Sequence, residues 1–180
     1  MNLKRLIALM LFTAAVAAGQ ITQTEVTKPT PHDSEPNSDK IPDGYAINAD
    51  FERIAILRFK HKADLLPTME KVIQEEGIKN AVILSAAGSV RNYHIHSVSN
   101  RDFPSENIYT KDPTDPADLV SMNGYIIDGR IHAHMTLTNG RNAFGGHLEP
   151  DTNVFTFAIV TVGVLGDDVD LSKIDDKTYR

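Results

Sequence analysis

Cysteine is absent from the 180-residue sequence, and this absence limits the chemistry open to the protein. The chain forms no disulfide and has no thiolate nucleophile, so a metal site has to use histidines and carboxylates. A glycine-rich phosphate loop and a cluster of lysine and arginine are also missing. Their absence disfavours a phosphate-loop enzyme and a protein that binds nucleic acid.

The sequence has no apolar run as long as a membrane-spanning helix at its N-terminus. Residues 1–19 have instead the layout of a secretory signal peptide. Lys4 and Arg5 precede a short apolar run, residues 6–12, and small residues follow as far as Gly19. A membrane anchor is the alternative, but a spanning helix needs roughly 20 apolar residues. We therefore expect a cleaved signal, a periplasmic or secreted protein and no stable membrane anchor.

The charge balance is acidic. The chain has 18 basic and 24 acidic residues, and the signal carries two of the basic ones, which leaves the mature chain with 16 against 24 and a net charge of −8. An acidic exported chain is a poor candidate for binding nucleic acid, so we expect no such partner.

Composition divides the remaining chain into three parts. Residues 20–45 are rich in Thr, Ser, Pro and Asp and predict a disordered spacer. Residues 46–167 form the predicted domain, and residues 168–180 form an acidic tail that frays or packs loosely. Periodicity within the domain predicts an α+β fold, with a helix at 63–77 and strands at 51–59, 80–90, 91–99, 119–128 and 154–165. Gly77 is the predicted C-terminal cap of the helix, and residues 100–117, which hold three of the nine prolines, predict a long loop.

Three of the seven histidines fall within residues 129–149, GRIHAHMTLTNGRNAFGGHLE. Asn139-Gly140 is a strong signal for a two-residue type I′ hairpin turn, in which both central residues have positive φ. That register places His132 directly opposite His147. A bulge at Gly145-Gly146 would shift the pairing by one residue, because glycines in strands often mark bulges.

The predicted hairpin brings His132, His134 and His147 to one face of the sheet, because residues two apart on a strand share a face. Three neutral imidazoles with an open fourth position are the ligand set of a catalytic zinc site. The alternative is a polar sheet face whose histidines are solvated or hydrogen-bonded. We predict a site for a divalent metal, with Zn²⁺ as the first candidate.

Several charged or polar neighbours are candidates for roles beside the metal. Glu149, opposite Arg130 in this register, is predicted to act as a general base or to orient a ligand, and the alternative is a cross-strand salt bridge. Arg130 or Arg91 would contact an anionic group. His94 and His96 repeat the His-x-His spacing, so they either complete a second site, line the same pocket or form a hydrogen-bonded wall.

The chain resembles the PPC domain (plants and prokaryotes conserved) over about residues 50–166. The resemblance rests on the small-residue turn AAGSV, on HAH and on GGHL. It implies a mixed, mostly antiparallel sheet with one main helix, minor flanking helices and a homotrimer. The PPC fold is related to that of acetolactate decarboxylase, whose zinc is held by a His-x-His pair and a later histidine. Carried over, this implies His132, His134 and His147 as ligands.

The chain departs from plant PPC proteins in having no AT-hook, so their association with DNA does not carry over. Two functional hypotheses follow. The first is an exported metal-dependent protein, a lyase or hydrolase acting on a small molecule or a binder of one. The second is a trimeric binding or scaffold module without chemistry. The residues leave open whether the protein is an enzyme, and fold similarity to a decarboxylase does not establish decarboxylation.

Overall fold

The computed structural model describes residues 22–27, 42–102, 104–172 and 174, so the predicted signal at 1–19 lies outside the described residues. One α-helix and nine strands follow one another in this part of the chain. They are β1 (Gln23–Thr27), β2 (Phe51–Lys60), α1 (Leu65–Glu75), β3 (Ala81–Val90), β4 (Tyr93–Val98), β5 (Asn107–Asp112), β6 (Ala117–Ile127), β7 (Arg130–Thr138), β8 (Ala143–Leu148) and β9 (Val154–Leu165).

All nine strands belong to one sheet, in the order β1-β5-β4-β8-β7-β6-β3-β9-β2. Each pair of neighbours is antiparallel. The α+β class and the largely antiparallel sheet are therefore confirmed. The resemblance also implied parallel pairs and minor flanking helices, and within the described ranges the structure has neither.

The hydrophobic core lies between α1 and one face of the sheet. Leu65, Met69 and Ile73 of the helix are buried, and they belong to the same cluster as Phe59 and Val160 of the sheet. Successive strand residues point to opposite faces, so each strand contributes every second side chain to this core. The opposite face of the sheet carries polar and exposed apolar side chains.

The C-terminal end of α1 follows the prediction that Gly77 caps it. Gly77 has a φ of +63°, and its N–H donates to the carbonyl of Gln74 at 3.2 Å. The N–H of Ile78 donates to the carbonyl of Ile73 at 2.9 Å, which completes a Schellman motif, and both residues are buried.

The predicted long loop at 100–117 is wrong in its middle, because β5 forms there and pairs with β4. Three prolines suggested a loop, but Pro104, Pro113 and Pro116 all lie outside the strand. A proline beside a strand removes no ladder hydrogen bond, so it does not prevent pairing.

Parts of the predicted spacer and tail also pack on the sheet. Residues 23–27, within the predicted disordered segment, form β1 and pair with β5, because an exposed edge strand offers unpaired backbone groups. In the tail, Leu171 is buried against Ile127 and Leu165, and the Val169 carbonyl accepts a hydrogen bond from the Asn80 side chain at 2.8 Å.

Asp112 ties β1 to the rest of the sheet. Its buried carboxylate accepts a hydrogen bond from the Thr22 hydroxyl at 2.7 Å. The other oxygen accepts from the N–H groups of Thr114 and Asp115, both at 2.9 Å, and from the Thr114 hydroxyl at 3.0 Å. Burial raises the pKa of Asp112, but these hydrogen bonds outweigh it and hold the pKa below its ordinary value.

We expect Asp112→Asn to destabilise the protein by about 1–3 kcal/mol at pH 7, because hydrogen bonds to a charged acceptor are lost. Because the pKa of Asp112 is lower in the folded than in the unfolded protein, its ionised carboxylate stabilises the fold. This stabilisation is complete above the unfolded pKa of about 3.9 and is lost as the pH falls through the folded pKa. The difference in urea midpoint between variant and parent should therefore shrink as the pH falls below the unfolded pKa of about 3.9. Asp118→Asn, at an exposed carboxylate of β6, is the control and should leave the midpoint unchanged.

Candidate metal centre

The turn between β7 and β8 has four residues, so the predicted two-residue turn is wrong. Thr138 pairs with Ala143, and neither Asn139 nor Gly140 has the positive φ that a type I′ turn needs. The Asn139 side-chain oxygen accepts from the backbone N–H groups of Arg141 and Asn142, at 3.0 and 2.9 Å. This local bonding stabilises a wider turn than the Asn-Gly pair alone suggested.

The wider turn moves the register by two residues. His147 lies opposite His134 rather than His132, and His132 lies opposite Tyr125 of β6. The predicted pairing of His132 with His147 is therefore wrong. A shift of two residues keeps every side chain on its predicted face, because strand side chains alternate with a period of two.

A tight reversal of the predicted type does occur one hairpin earlier, between β6 and β7. Asp128 and Gly129 have φ values of +49° and +75°, and Ile127 pairs with Arg130. Asp-Gly between two apolar runs is a standard type I′ signal, so the sequence contained this information. The turn fixes which residues of β6 lie beside the histidines of β7.

The three histidines of the hairpin converge on the open face of the sheet. The ring centroids of His132 and His134 are 5.3 Å apart, and their Nε2 atoms are 3.3 Å apart. The His147 ring stands edge-on to both, with centroid distances of 5.1 Å to His132 and 5.4 Å to His134. The predicted convergence is thus observed, although through a different pairing. Their role as metal ligands stays a prediction.

The electrostatics of His134 favour a neutral ring. Partial burial lowers its pKa, and the nearby rings of His147, His132 and His96 lower it further. A neutral imidazole keeps a lone pair available for a metal ion.

Glu149 connects His147 to His96. One carboxylate oxygen of Glu149 lies 3.1 Å from Nδ1 of His147 and 2.5 Å from Nδ1 of His96. Burial raises the pKa of Glu149, but the hydrogen bonds and charges of the two histidines overcome this and lower the pKa to about 2. Glu149 is therefore a carboxylate at neutral pH and accepts a hydrogen bond from Nδ1–H of both rings. The Nε2 atoms of the two rings take no part in these hydrogen bonds.

His96 belongs to this cluster. Of the three alternatives that the sequence left open, the structure favours a shared pocket for His96. His96 pairs with His147, and the two rings stack with their centroids 4.5 Å apart. On its other side His96 pairs with Tyr109 of β5, at a centroid distance of 4.9 Å. His94, two residues earlier on β4, instead has its Nδ1 2.9 Å from the Pro150 carbonyl. The repeated His-x-His spacing was the only sequence signal for His96.

Both predicted arginines are exposed side chains. Arg130 is exposed at the start of β7 and pairs with Ile127, so the predicted pairing of Arg130 with Glu149 is wrong because the register differs. Arg91 is exposed in the turn before β4, where its backbone N–H donates to the Asn153 carbonyl at 2.8 Å. Their predicted catalytic roles stay predictions.

Two overlapping sets of side chains have the composition of a metal site. The first is the predicted set of His132, His134 and His147. The second is His96, His147 and Glu149, whose donor atoms all lie within 4.8 Å of one another. Both sets contain His147, so a metal ion at this face would involve β8 in either case.

The family model of the Plants and Prokaryotes Conserved (PCC) domain, also abbreviated PPC, matches residues 47–166. The chain belongs to this family. The resemblance read from AAGSV, HAH and GGHL is therefore confirmed. No curated protein matches the chain.

Solved structures share the PCC fold. A metal-containing protein from Archaeoglobus fulgidus is 23% identical, with a TM-score of 0.59, over 70% of this chain and 89% of that one. A plant- and prokaryote-conserved protein from Pyrococcus horikoshii is also 23% identical, with a TM-score of 0.56, over 71% of this chain and 89% of that one. At this level of identity the likeness establishes the fold.

A third PCC-like structure, from Bacteroides thetaiotaomicron, carries a provisional name as a DNA-binding protein. It is 14% identical, with a TM-score of 0.53, over 64% of this chain and 83% of that one. This name does not support the expectation that the present chain binds no nucleic acid, and that expectation stays a prediction.

Within the described residues, no helix has the length and apolar character to cross a membrane.

We expect Gly146→Ala to disturb the cluster, because a Cβ at this position would collide with the His96 carbonyl oxygen across the β4–β8 pair. Overpacking of this kind costs about 1–3 kcal/mol. Urea unfolding would measure the loss, and the NMR signals of the His96 and His147 rings should shift. Gly140→Ala in the same hairpin is the matched control, since nothing lies within 4 Å of its added Cβ. An equal effect of both substitutions would contradict the packing argument.

Proposed function

We propose that this PCC-domain protein is exported and holds one divalent metal ion, zinc, through His132, His134 and His147. The observation that carries the proposal is the 3.3 Å separation of the His132 and His134 Nε2 atoms. Two nitrogens bound tetrahedrally at the usual zinc–nitrogen length of 2.0–2.1 Å lie about 3.3 Å apart. The Archaeoglobus fulgidus relative named as metal-containing supports a metal in this fold.

Hydrogen bonding favours this ligand set over His96, His147 and Glu149. The His96 Nδ1 and the Glu149 oxygen are 2.5 Å apart, closer than two ligands of one tetrahedral ion, so they are bonded directly to each other. Metal-bound histidines commonly donate their second N–H to a carboxylate, which fixes the ring and strengthens the ligand. Glu149 would orient His147 in this way, and His96 would hold Glu149 in place.

The ion held by His132, His134 and His147 would supply Lewis-acid polarisation of a carbonyl or carboxylate oxygen of a small molecule, the chemistry of a lyase or hydrolase. The protein leaves space for such a molecule, since a cavity of about 530 Å³ borders His132 and His134. Cavities of 300–1,000 Å³ are the usual size for small-molecule sites. Arg130 and Arg91 would contribute anion contacts only if the ligand extended beyond this cavity.

Metal content after dialysis tests the ligand set. We expect about one zinc per subunit in the parent and none in His132→Ala/His134→Ala/His147→Ala. His61→Ala, at an exposed histidine before α1, is the control and should keep the full content. Equal zinc content in the triple variant and the parent would show that the site is misassigned.

Single variants separate the two ligand sets. If the three hairpin histidines bind the ion, His132→Ala should abolish binding, whereas His96→Ala should weaken it only about 10–100-fold, as expected for a residue that acts through a ligand. The reverse order of effects would favour His96, His147 and Glu149 as ligands.

A trimeric module without chemistry is the second candidate, and an exposed apolar surface favours self-association. On the open face, Ile54 and Ile56 of β2 are 52% and 71% exposed, and Phe155 and Phe157 of β9 are 47% and 41% exposed. Neighbouring exposed apolar side chains commonly mark a protein–protein interface. We propose that copies of the chain pack through these side chains of β2 and β9 into a homotrimer, with or without a bound metal.

Analytical ultracentrifugation checks the assembly. We expect a trimer for the parent and a monomer for Ile56→Asp, since a buried unpaired carboxylate opposes association. Gln74→Asp, on the exposed side of α1, introduces the same charge elsewhere and should leave the trimer intact. A monomeric parent would remove the proposed assembly while leaving the metal site untouched.

A further inference from the structure

An apolar groove begins at the candidate metal centre. The cavity that borders His132 and His134 is otherwise lined mainly by apolar side chains, among them Val82, Tyr125 and Ile127. A second cavity of about 580 Å³ adjoins it and shares Val82 and Tyr125 as walls. The two cavities therefore lie side by side, and together they are called the groove.

Apolar side chains also line the far end of the groove, together with Asp43 and the backbone around it. Ile47 and Phe51 line it from the segment that leads into β2, and Leu165 and Leu171 line it from the C-terminal side. Ile47 is 39% exposed, Phe51 50% and Tyr125 44%. Half-exposed apolar side chains along a concave surface are the usual lining of a binding site for an apolar ligand.

The sheet register gives the length of the groove. His132, Tyr125, Val82 and Gly163 lie side by side on successive strands of the open face. Gly163 has no side chain, and the ring of Phe51 occupies the space where a Cβ would lie. Three strand spacings separate His132 from Gly163, so the groove is about 14 Å long.

The charges of the groove restrict the polar part of the ligand. Neither cavity is lined by a lysine or an arginine, and the second is lined by Asp43. A phosphate or another dianion would therefore lack a counter-charge along the walls. Asn123, directly opposite His134, lines the first cavity, and no hydrogen bond of its amide occurs within the described residues. One small oxygen-bearing head group beside the histidines matches this arrangement.

We propose that the groove binds a medium-chain monocarboxylate. Its carboxylate would lie at the histidine-held metal ion and accept a hydrogen bond from the Asn123 amide. Its alkyl chain would extend over Val82 and Tyr125 towards Phe51. This inference rests on the proposed function and names the ligand class of that same site.

Calorimetric titration of the zinc-loaded full chain with octanoate and with acetate tests the proposal. Each CH₂ group removed from water favours binding roughly fourfold, so octanoate, which has about six more CH₂ groups than acetate, should bind roughly 4,000-fold more tightly. Val82→Asn should abolish most of this preference, and Tyr125→Ser provides a second variant should the first not fold. Val98→Asn, at a 66% exposed residue of β4 that lines neither cavity, is the control and should keep the preference.

The outcomes separate this inference from the proposed function. Zinc at one per subunit with equal affinity for octanoate and acetate would overturn the ligand class and leave the metal site standing. Absence of zinc in the parent would overturn the metal site itself. Loss of octanoate binding upon self-association would show that a second copy occupies the groove, which also contradicts the proposal.

Discussion

The candidate site depends on the backbone ladder that joins β7, β8 and β4. This ladder places His134, His147 and His96 directly beside one another on neighbouring strands. Strands in a sheet are about 4.8 Å apart, which is close to the spacing of the imidazole rings. The ring contacts at this face are therefore a direct product of strand pairing and need no special loop.

The two faces of the sheet have different roles: one packs into the core, and the other carries the candidate site. Alternate residues of β7, among them Ala133, Met135 and Leu137, are buried in the core, and the intervening His132 and His134 lie on the open face. Core packing thus fixes the strand without using any side chain of the site. Histidine rings can then change their contacts on the open face at little cost to the core.

Much of this arrangement was predictable from the residues. The period of two in β7 and β4 placed the histidines on their faces, and helical spacing with Gly77 located α1. The hairpin register was not predictable from Asn139-Gly140, because the Asn139 side chain bonds the next two N–H groups and widens the turn. The three histidines still converge as predicted, because the error in the β7–β8 register was an even number of residues.

Two further features depended on contacts that are distant in sequence. His96 joins His147 through pairing of strands about 50 residues apart, and a local pattern contains no information on that pairing. The strand β1 forms only because β5 offers an open edge, so its polar sequence looked like a spacer. The hydrogen bond from the Thr22 hydroxyl to the Asp112 carboxylate was not predictable for the same reason.

A transverse row of polar side chains crosses the open face, with one residue from each of six strands. It runs through Glu25, Tyr109, His96, His147, His134 and Asn123. The central part of this row consists of His96, His147 and His134. Any contiguous fragment that contains all three must extend from residue 96 to residue 147. During synthesis, the pocket is therefore closed only after β8 has left the ribosome and joined the sheet.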